Sequence, residues 1–240
     1  MVDKKKYRLI LTNKNSAKMN MAIDKALTIS YEKDDMPILR LYTWENSFTV
    51  GIGQNLEDFN SLKSLYKNNC SKRITGGGVL FHGHDISYSL VLPISLFEDL
   101  NVKLSYEKIC QFLLEFYKNL GLNPFFVKDS ENIELKKNEF CQIGFEAYDI
   151  IVNGNKIGGN AQKRNKKLIF QHGSIPIFKT KKDEKIGISL EDLDIHLNFE
   201  EAQNRIIEAF EKSFNTKLVL SQLTNNENEN LKKILEEEKI

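Results

Sequence analysis

The stretch FCQIGFEAYDIIVNGNKIGGNAQKRNKKLIFQHGS, residues 140–174, decides the fold because it combines strand composition with strong turn signals. Residues 147–152 and 167–174 are rich in Tyr, Ile, Val and Phe, which is typical of β-strands. Asn153-Gly154 suits a two-residue type I′ turn, in which both central residues adopt positive φ. The pattern therefore predicts three short strands folded back twice, with Lys156 at the start of the second strand.

The composition indicates one large or two small globular domains in a reducing compartment. A chain of 240 residues is long enough to bury one substantial core. Lys and Arg total 34 against 33 for Asp and Glu, so no net field attracts nucleic acid or an anionic membrane. Three widely spaced cysteines form neither a disulfide framework nor a zinc pattern. No segment approaches the roughly 20 apolar residues of a membrane span. We expect a cytoplasmic protein.

Helical and strand patterns alternate irregularly along the chain. Amphipathic helices are predicted over residues 104–120 and 197–214, and a cap at Thr224-Asn225 starts a final charged helix. Residues 217–220 are a candidate edge strand. Gly51-Ile-Gly-Gln54 interrupts the apolar pattern after a predicted strand at residues 47–50, which predicts a close backbone approach there. Several neighbouring strands are joined by tight turns, without a regular βαβ alternation. This favours an α+β or mixed α/β layer fold around one curved sheet, with residues 1–240 in one domain.

The glycine run Gly76-Gly77-Gly78 is a candidate binding loop. It lacks the Gly-Lys-Ser/Thr of a phosphate-binding loop and is not a dinucleotide fingerprint, so it is also compatible with a simple tight turn. Its backbone N–H groups could bind a phosphate or an oxyanion, with Arg73 adding a planar fork of donors. His82 and His84 follow, beside Asp85, but without a nearby cysteine they predict no metal site.

Cys141 and Lys156 are the candidate reactive pair. A lone cysteine is usually a small buried hydrophobe, and most lysines of a highly charged chain are solvated. As a nucleophile, a thiol of ordinary pKa, about 8.5, would need a cationic or hydrogen-bonding neighbour. Lys156 and His82 are the two candidates for that neighbour. The residues alone leave both the structural and the catalytic interpretation open.

Several separated motifs resemble the lipoate-protein ligase and octanoyltransferase family. They are RITGGGVLFH at residues 73–82, DISYS at 85–89, GNKIGGNAQ at 154–162 and QHG at 171–173. Similarity also extends from Met21-Ala-Ile-Asp24 to the helix that ends at Phe214, and so covers nearly the whole chain. The resemblance implies a biotin/lipoate protein ligase-like catalytic domain, in which helices flank a central mixed, largely antiparallel sheet. It also implies a tunnel for the acyl chain between the glycine loop and the lysine strand.

Within that family the chain most resembles a bacterial class of cysteine-dependent octanoyltransferases. In that class a cysteine lies fifteen positions before the motif lysine, as Cys141 does before Lys156. Gly78 and Gly159-Asn160 depart from the pattern of the class. An ATP- and Mg-dependent lipoate ligase and an amidotransferase between lipoyl proteins therefore remain alternatives. We expect no C-terminal accessory domain of the kind that many ligases carry.

The resemblance implies transfer of an octanoyl group from acyl carrier protein, through a cysteine thioester, to a lysine of a lipoyl domain. The acceptor is the glycine cleavage H protein or an E2 subunit, and no cofactor is needed. The implied catalytic residues are Cys141, Lys156 and His82. The implied substrate-binding residues are Arg73, Gly76, Gly77, Gly78, His84, Gly159, Asn160, Ala161, Gln162, His172 and Gly173. A non-catalytic binder of acylated carrier domains is the alternative from another functional class.

Overall fold

The structure is a computed structural model that describes residues 4–130, 146–180 and 187–237. The strands in it are β1 Lys5–Asn15, β2 Ile38–Trp44, β3 Ser47–Val50, β4 Cys70–Lys72, β5 Leu80–His82, β6 Asp85–Pro93, β7 Phe125–Phe126, β8 Ile150–Val152, β9 Asn155–Lys156, β10 Gly159–Arg164, β11 Leu168–Pro176 and β12 Thr216–Leu220. The helices are α1 Ala17–Ser30, α2 Asn60–Leu65, α3 Val102–Asn119, α4 Phe199–Phe214 and α5 Asn225–Glu237. Within those ranges no helix is long and apolar enough to cross a membrane.

The main sheet has six strands in the order β10-β11-β6-β2-β1-β12. The pairs β10–β11, β11–β6 and β6–β2 are antiparallel, whereas β2–β1 and β1–β12 are parallel. The sheet is therefore mixed and largely antiparallel, which confirms the predicted α+β class. The predicted edge strand at residues 217–220 is confirmed as β12, and the predicted long helices are confirmed as α3, α4 and α5.

Helices cover both faces of this sheet. Neighbouring residues of a strand point to opposite faces, and here both faces carry apolar side chains that must be buried. On β6, Leu90 belongs to the core packed against α3 and α4, whereas Val91 belongs to the core beneath α1. The α4 side is tied to β1 by Tyr7, whose ring contacts Phe210 edge to face with centroids 5.7 Å apart. The sheet is thus buried on both faces, and α5 packs against α1 on the outside.

The first turn of the predicted three-strand unit, at Asn153-Gly154, is confirmed. The prediction that its strands form one sheet is wrong. Asn153 and Gly154 have φ values of 50° and 77°, as the type I′ prediction requires, and Lys156 pairs with Ile151. The middle strand is however interrupted, so that β9 belongs to a small sheet with β7 and β8 while β10 joins the main sheet. Gly158 allows this change because its φ is 74° and a Cβ there would lie 2.2 Å from the Ser174 carbonyl oxygen. The lysine strand is therefore a bridge between two sheets.

A second small sheet, with the order β4-β3-β5, carries the glycine run in its β4–β5 connection. The irregular segment after β3 was predicted to approach another backbone closely, and this is confirmed. A Cβ on Gly51 would lie only 2.0 Å from the Gly77 carbonyl oxygen. Contact between two backbones, without a side chain between them, therefore sets the position of the glycine loop.

Replacing Gly51 with alanine is expected to displace the glycine loop and to destabilise the protein by about 1–3 kcal/mol, as overpacking does elsewhere. Gly53→Ala is the matched control, since a Cβ at Gly53 meets nothing within 4 Å. Urea unfolding of both variants checks this expectation. Equal stability of the two variants would show that the loop does not depend on this contact.

Candidate functional site

Arg73 holds the glycine loop in place. Its guanidinium donates to the carbonyl oxygens of Gly78 at 2.6 Å and Gly76 at 3.3 Å, and to the backbone and hydroxyl oxygens of Thr49 at 3.0 and 2.9 Å. Arg73 is only 3% exposed. The sequence predicted that this residue would offer its donors to a ligand. In the structure these hydrogen bonds instead shape the loop.

His82 is held at both ring nitrogens. Nδ1 lies 3.1 Å from the Asp85 carboxylate and Nε2 lies 2.9 Å from the Thr49 hydroxyl. A carboxylate only accepts hydrogen bonds, so Nδ1 donates to Asp85 and Nε2 accepts from Thr49. Burial lowers the pKa of His82, although Asp85 opposes this shift, so the ring is neutral near pH 7. A continuous network of hydrogen bonds therefore joins Arg73, Thr49, His82 and Asp85.

Trp44 lies flat against His82. The two rings stack with centroids 3.8 Å apart at an interplanar angle of 14°. Trp44 Nε1 donates to the Ser87 hydroxyl at 2.9 Å, and that hydroxyl donates to Asp85 at 3.1 Å. Ser174 also donates to this carboxylate, at 2.7 Å, which fixes β11 to the same centre. Asp85 therefore anchors both stacked rings.

A narrow cavity, the central slot, lies between the glycine-loop sheet and the β10–β11 hairpin. Seven of the predicted site residues line it: Arg73, His82, Gly159, Asn160, Ala161, His172 and Gly173. The rest of the lining is Met21, Tyr42, Trp44, Leu80 and Ser87. Its volume of about 20 Å³ is close to that of a single water-sized probe, so an acyl chain enters only if the lining moves. The fold thus brings half of the predicted residues to one cavity.

The hairpin end of the slot is polar. Asn160 accepts a hydrogen bond from the Tyr88 hydroxyl at 2.8 Å, and its side chain fills the space beside Gly173. A Cβ on Gly173 would lie 2.2 Å from Asn160 Oδ1, so glycine is required at that position. Gln162 is not part of the lining; it donates to Gln171 at 2.8 Å. The GGNAQ motif therefore places Asn160 at the slot and Gln162 in a supporting network.

Asp24 is a site residue that the predicted list missed. Its carboxylate accepts from Arg40 at 2.7 Å, Ser89 at 2.7 Å and Tyr42 at 3.0 Å. Burial would raise the pKa of Asp24, but Arg40, His172 and Ser89 bring it below its ordinary value. The only sequence signal was its place in the Met21-Ala-Ile-Asp24 segment.

His172 joins this carboxylate to the glycine loop. Its Nδ1 lies 3.7 Å from Asp24, and its Nε2 lies 2.6 Å from the hydroxyl of Thr75, the residue before Gly76. Burial lowers the pKa of His172, against the opposing effect of Asp24. A neutral His172 accepts a hydrogen bond from the Thr75 hydroxyl at Nε2. Strand β11 therefore holds one end of the glycine loop.

Lys156 is buried and does not line the central slot. Its ammonium lies 2.6 Å from the Asp149 carboxylate, with both side chains 5–7% exposed. Burial raises the pKa of Asp149, and Lys156 partly opposes that rise. Gly159, three residues further on, lines the slot, so the two Cα atoms are at most about 11 Å apart. Cys141 lies outside the described residues, so its distance from Lys156 stays a prediction.

His84 does not line the central slot with His82, although both line a larger cleft. Gly83, with φ of 115°, turns the chain between them, and His84 Nε2 is buried without a hydrogen-bond partner among the described residues. Across the described ranges, no group of three or more His, Cys, Asp or Glu side chains is arranged to hold a metal ion. His84 and the three glycines do not line the central slot.

The two buried histidines give an expected pH dependence of stability. Their folded pKa values lie below the unfolded value of 6.5, so the unfolded chain binds more protons as the pH falls through that value. The free energy of unfolding should therefore decrease on acidification from pH 7.5 to 5. His172→Gln should weaken this slope, whereas the exposed His196→Gln should not. A flat or rising free energy in urea unfolding over this range would contradict the assignment.

Comparison with known proteins finds related sequences over most of the chain. The model of the lipoyl protein ligase A/B catalytic domain matches residues 16–183. A Bacillus subtilis relative named octanoyltransferase LipM is 31% identical over 184 residues, covering 72% of this chain and 66% of the relative, just under two thirds of its length. A Clostridioides difficile relative of the same name is 28% identical, covering 97% of this chain and 96% of the relative.

Solved structures share the fold. A lipoate-protein ligase A bound with ATP superimposes with a TM-score of 0.77 at 21% identity, covering 96% of this chain and 94% of that one. A bipartite lipoate protein ligase of Thermoplasma acidophilum, studied with its E2 lipoyl domain, gives 0.75 at 20% identity, covering 96% and 92%. From the match over residues 16–183 and the curated relatives, this chain belongs to the family of the lipoyl protein ligase A/B catalytic domain.

Proposed function

We propose that this chain is an octanoyltransferase that moves an octanoyl group from acyl carrier protein, through a thioester on Cys141, to a lysine of a lipoyl domain. The observation that carries the proposal is the central slot, where seven of the expected site residues meet and where Gly159 lies three residues after Lys156 in sequence. The curated relatives named octanoyltransferase support the same reaction. The acceptors are the glycine cleavage H protein or an E2 subunit.

The reaction is two acyl exchanges. The Cys141 thiolate attacks the carbonyl carbon of the carrier thioester, and the carrier thiolate leaves and takes up a proton. The neutral amine of the acceptor lysine then attacks the octanoyl-cysteine, loses a proton, and releases the Cys141 thiolate. The first exchange converts one thioester to another and is nearly balanced. Formation of an amide in the second exchange drives the sequence.

Lys156 supplies positive charge where the oxyanion forms in both steps. An ammonium held in a site shielded from water acts more strongly on a developing charge than one in bulk solvent. Asp149 orients the ammonium, at a distance of 2.6 Å. Backbone N–H groups of the loop 76–78 are the second proposed oxyanion donors.

The role of His82 is revised by its contacts. It was expected to be one of the catalytic residues, but Thr49 and Asp85 occupy both of its ring nitrogens. We assign it instead to positioning: it forms one wall of the slot and, through Thr49, joins the hydrogen bonds of Arg73. Arg73 in turn holds the loop that would face the oxyanion.

A donor comparison tests the proposal against its alternatives. An apo lipoyl domain is incubated with this chain and one of three donors: octanoyl carrier protein, octanoate with ATP and Mg, or an octanoylated lipoyl protein. The proposal expects modification of the acceptor lysine, read by intact mass, with the carrier protein alone. Modification that requires ATP would identify a ligase, and modification only from the lipoyl protein would identify an amidotransferase. Binding of the carrier without any modification would identify a non-catalytic binder.

A further inference from the structure

A second cavity, here called the basic cleft, lies between the C-terminal half of α1 and the turn of the β10–β11 hairpin. Its volume is about 570 Å³. Cationic side chains reach it from both elements: Lys25 from α1, and Arg164 and Lys167 from the hairpin. Glu32 is the acidic residue of its lining. Because the whole chain carries a net charge of only +1, this excess of positive charge is local to the cleft.

The positive charges of the basic cleft are not neutralised within the part of the chain that the structure describes. There, no carboxylate forms an ion pair with Lys25, Arg164 or Lys167. Arg164 donates to two neutral partners, Ser105 Oγ at 2.6 Å and Gln162 Oε1 at 3.3 Å, which hold the guanidinium at the cleft. A basic turn alone is usually a solvated surface feature. Here cations from two separate elements surround one cavity, and such a field attracts negative charge from a ligand or partner.

The other walls of the basic cleft are largely apolar. Leu168 and Phe170 are buried side chains of its lining, and Ile29 lines it while remaining 54% exposed. Apolar contact area combined with charged and polar groups is typical of surfaces that bind another protein. A small anion would use the cations alone and leave this apolar area in water. The cleft therefore fits an acidic protein surface better than a small anion.

One wall of the basic cleft adjoins the central slot. Phe170 lines the cleft, and its ring centroid lies 5.2 Å from that of His172, which lines the slot. Ile74 also lines the cleft and lies two residues before the glycine loop, where Gly76 and Gly77 are exposed. A group that extends from the cleft along the exposed glycine loop therefore approaches the proposed oxyanion donors.

We infer that the basic cleft is the docking surface for the carrier protein that donates the octanoyl group, and that the contacting face of that protein is acidic. This inference rests on the proposed function and adds to it the place where the donor binds. On β10, Arg164 at the cleft lies five positions after Gly159 at the slot, which is about 17 Å at the rise of a β-strand. The four-carbon stem of an acceptor lysine does not span this distance, whereas the long prosthetic arm of a carrier protein does.

Charge reversal at the basic cleft tests the inference. The double variant Lys25→Glu with Lys167→Glu is assayed with octanoyl carrier protein and an apo lipoyl domain. In a reaction of two separate exchanges, kcat/KM for each substrate reports only its own exchange. We expect kcat/KM for the carrier protein to fall about tenfold or more, because charges at an interface set the rate of association, and kcat/KM for the lipoyl domain to stay native. The ratio of the two values within one preparation does not depend on how much of the variant is folded.

Lys217→Glu is the matched control, because Lys217 is exposed on β12, at the edge of the main sheet opposite β10. It should leave both values unchanged. Added salt should lower kcat/KM for the carrier protein in the native chain, but not in the double variant. A native value for the carrier protein in the double variant, or a loss confined to the lipoyl domain, would overturn the inference and leave the proposed function intact. If the native chain transfers no octanoyl group, the proposed function fails. Titration of the carrier protein against the native chain and the double variant then decides the inference, and equal affinities would overturn it.

Discussion

Lys156→Ala is expected to lower the rate of octanoyl transfer by about a hundred- to a thousandfold, the loss typical for removal of one oxyanion donor. The reason is that the substitution removes the buried ammonium to which we assign stabilisation of the oxyanion and leaves Asp149 without its ion-pair partner. The measurement is the initial rate of acceptor modification by intact mass, at saturating carrier protein. The loss should appear in kcat more than in KM, since the charge acts on the transition state.

Lys163→Ala is the matched control for this result. Lys163 lies in the next strand, β10, but its side chain is exposed. It should retain native kcat. A Lys156→Ala variant with native kcat and native unfolding would show that the ammonium has no part in the chemistry.

Arg40→Met is expected to produce the largest loss of stability, about 3–5 kcal/mol, the typical cost of breaking a buried ion pair. Arg40 and Asp24 are 0% and 1% exposed and lie 2.7 Å apart, so the substitution leaves the carboxylate without its cation in the interior. For a chain of this size, such a loss lowers the melting temperature by roughly 6–20 °C. Urea and thermal unfolding of the native and variant chains measure it.

Lys63→Met supplies the comparison for an exposed pair. Lys63 lies 2.7 Å from Glu57, but the glutamate is 66% exposed, and such pairs contribute at most about 1 kcal/mol. Comparable losses for Lys63→Met and Arg40→Met would contradict the view that burial, rather than distance, makes the Asp24 pair important.

The sequence predicted correctly those features that depend on the local conformation of the backbone. Asn153-Gly154 predicted a turn with two positive φ angles, and the irregular Gly51 segment predicted a close backbone approach; both are found. The motif residues at 73, 82, 159–161 and 172–173 were expected at one site, and they line one slot. Short-range steric rules and the family motifs were sufficient for these features.

Features that depend on distant partners could not be predicted from the sequence. The carboxylate of Asp24 on α1 meets Arg40 on β2 and Ser89 on β6, and no spacing rule joins these positions. Similarly, nothing around His82 indicated that Thr49 would occupy its second nitrogen. The division of the lysine strand between two sheets follows from crowding at Gly158, which is visible only once Ser174 is in place.

The most direct test of the central claim, that the octanoyl group passes through this chain, is an intact-mass measurement of the protein itself. The native chain and Cys141→Ser are each mixed with octanoyl carrier protein, without ATP, and an apo lipoyl domain is then added. We predict one octanoyl adduct on the native chain, its loss when the acceptor is added, and no adduct on Cys141→Ser. A native chain that stays unmodified, or an equal adduct on Cys141→Ser, would contradict the account.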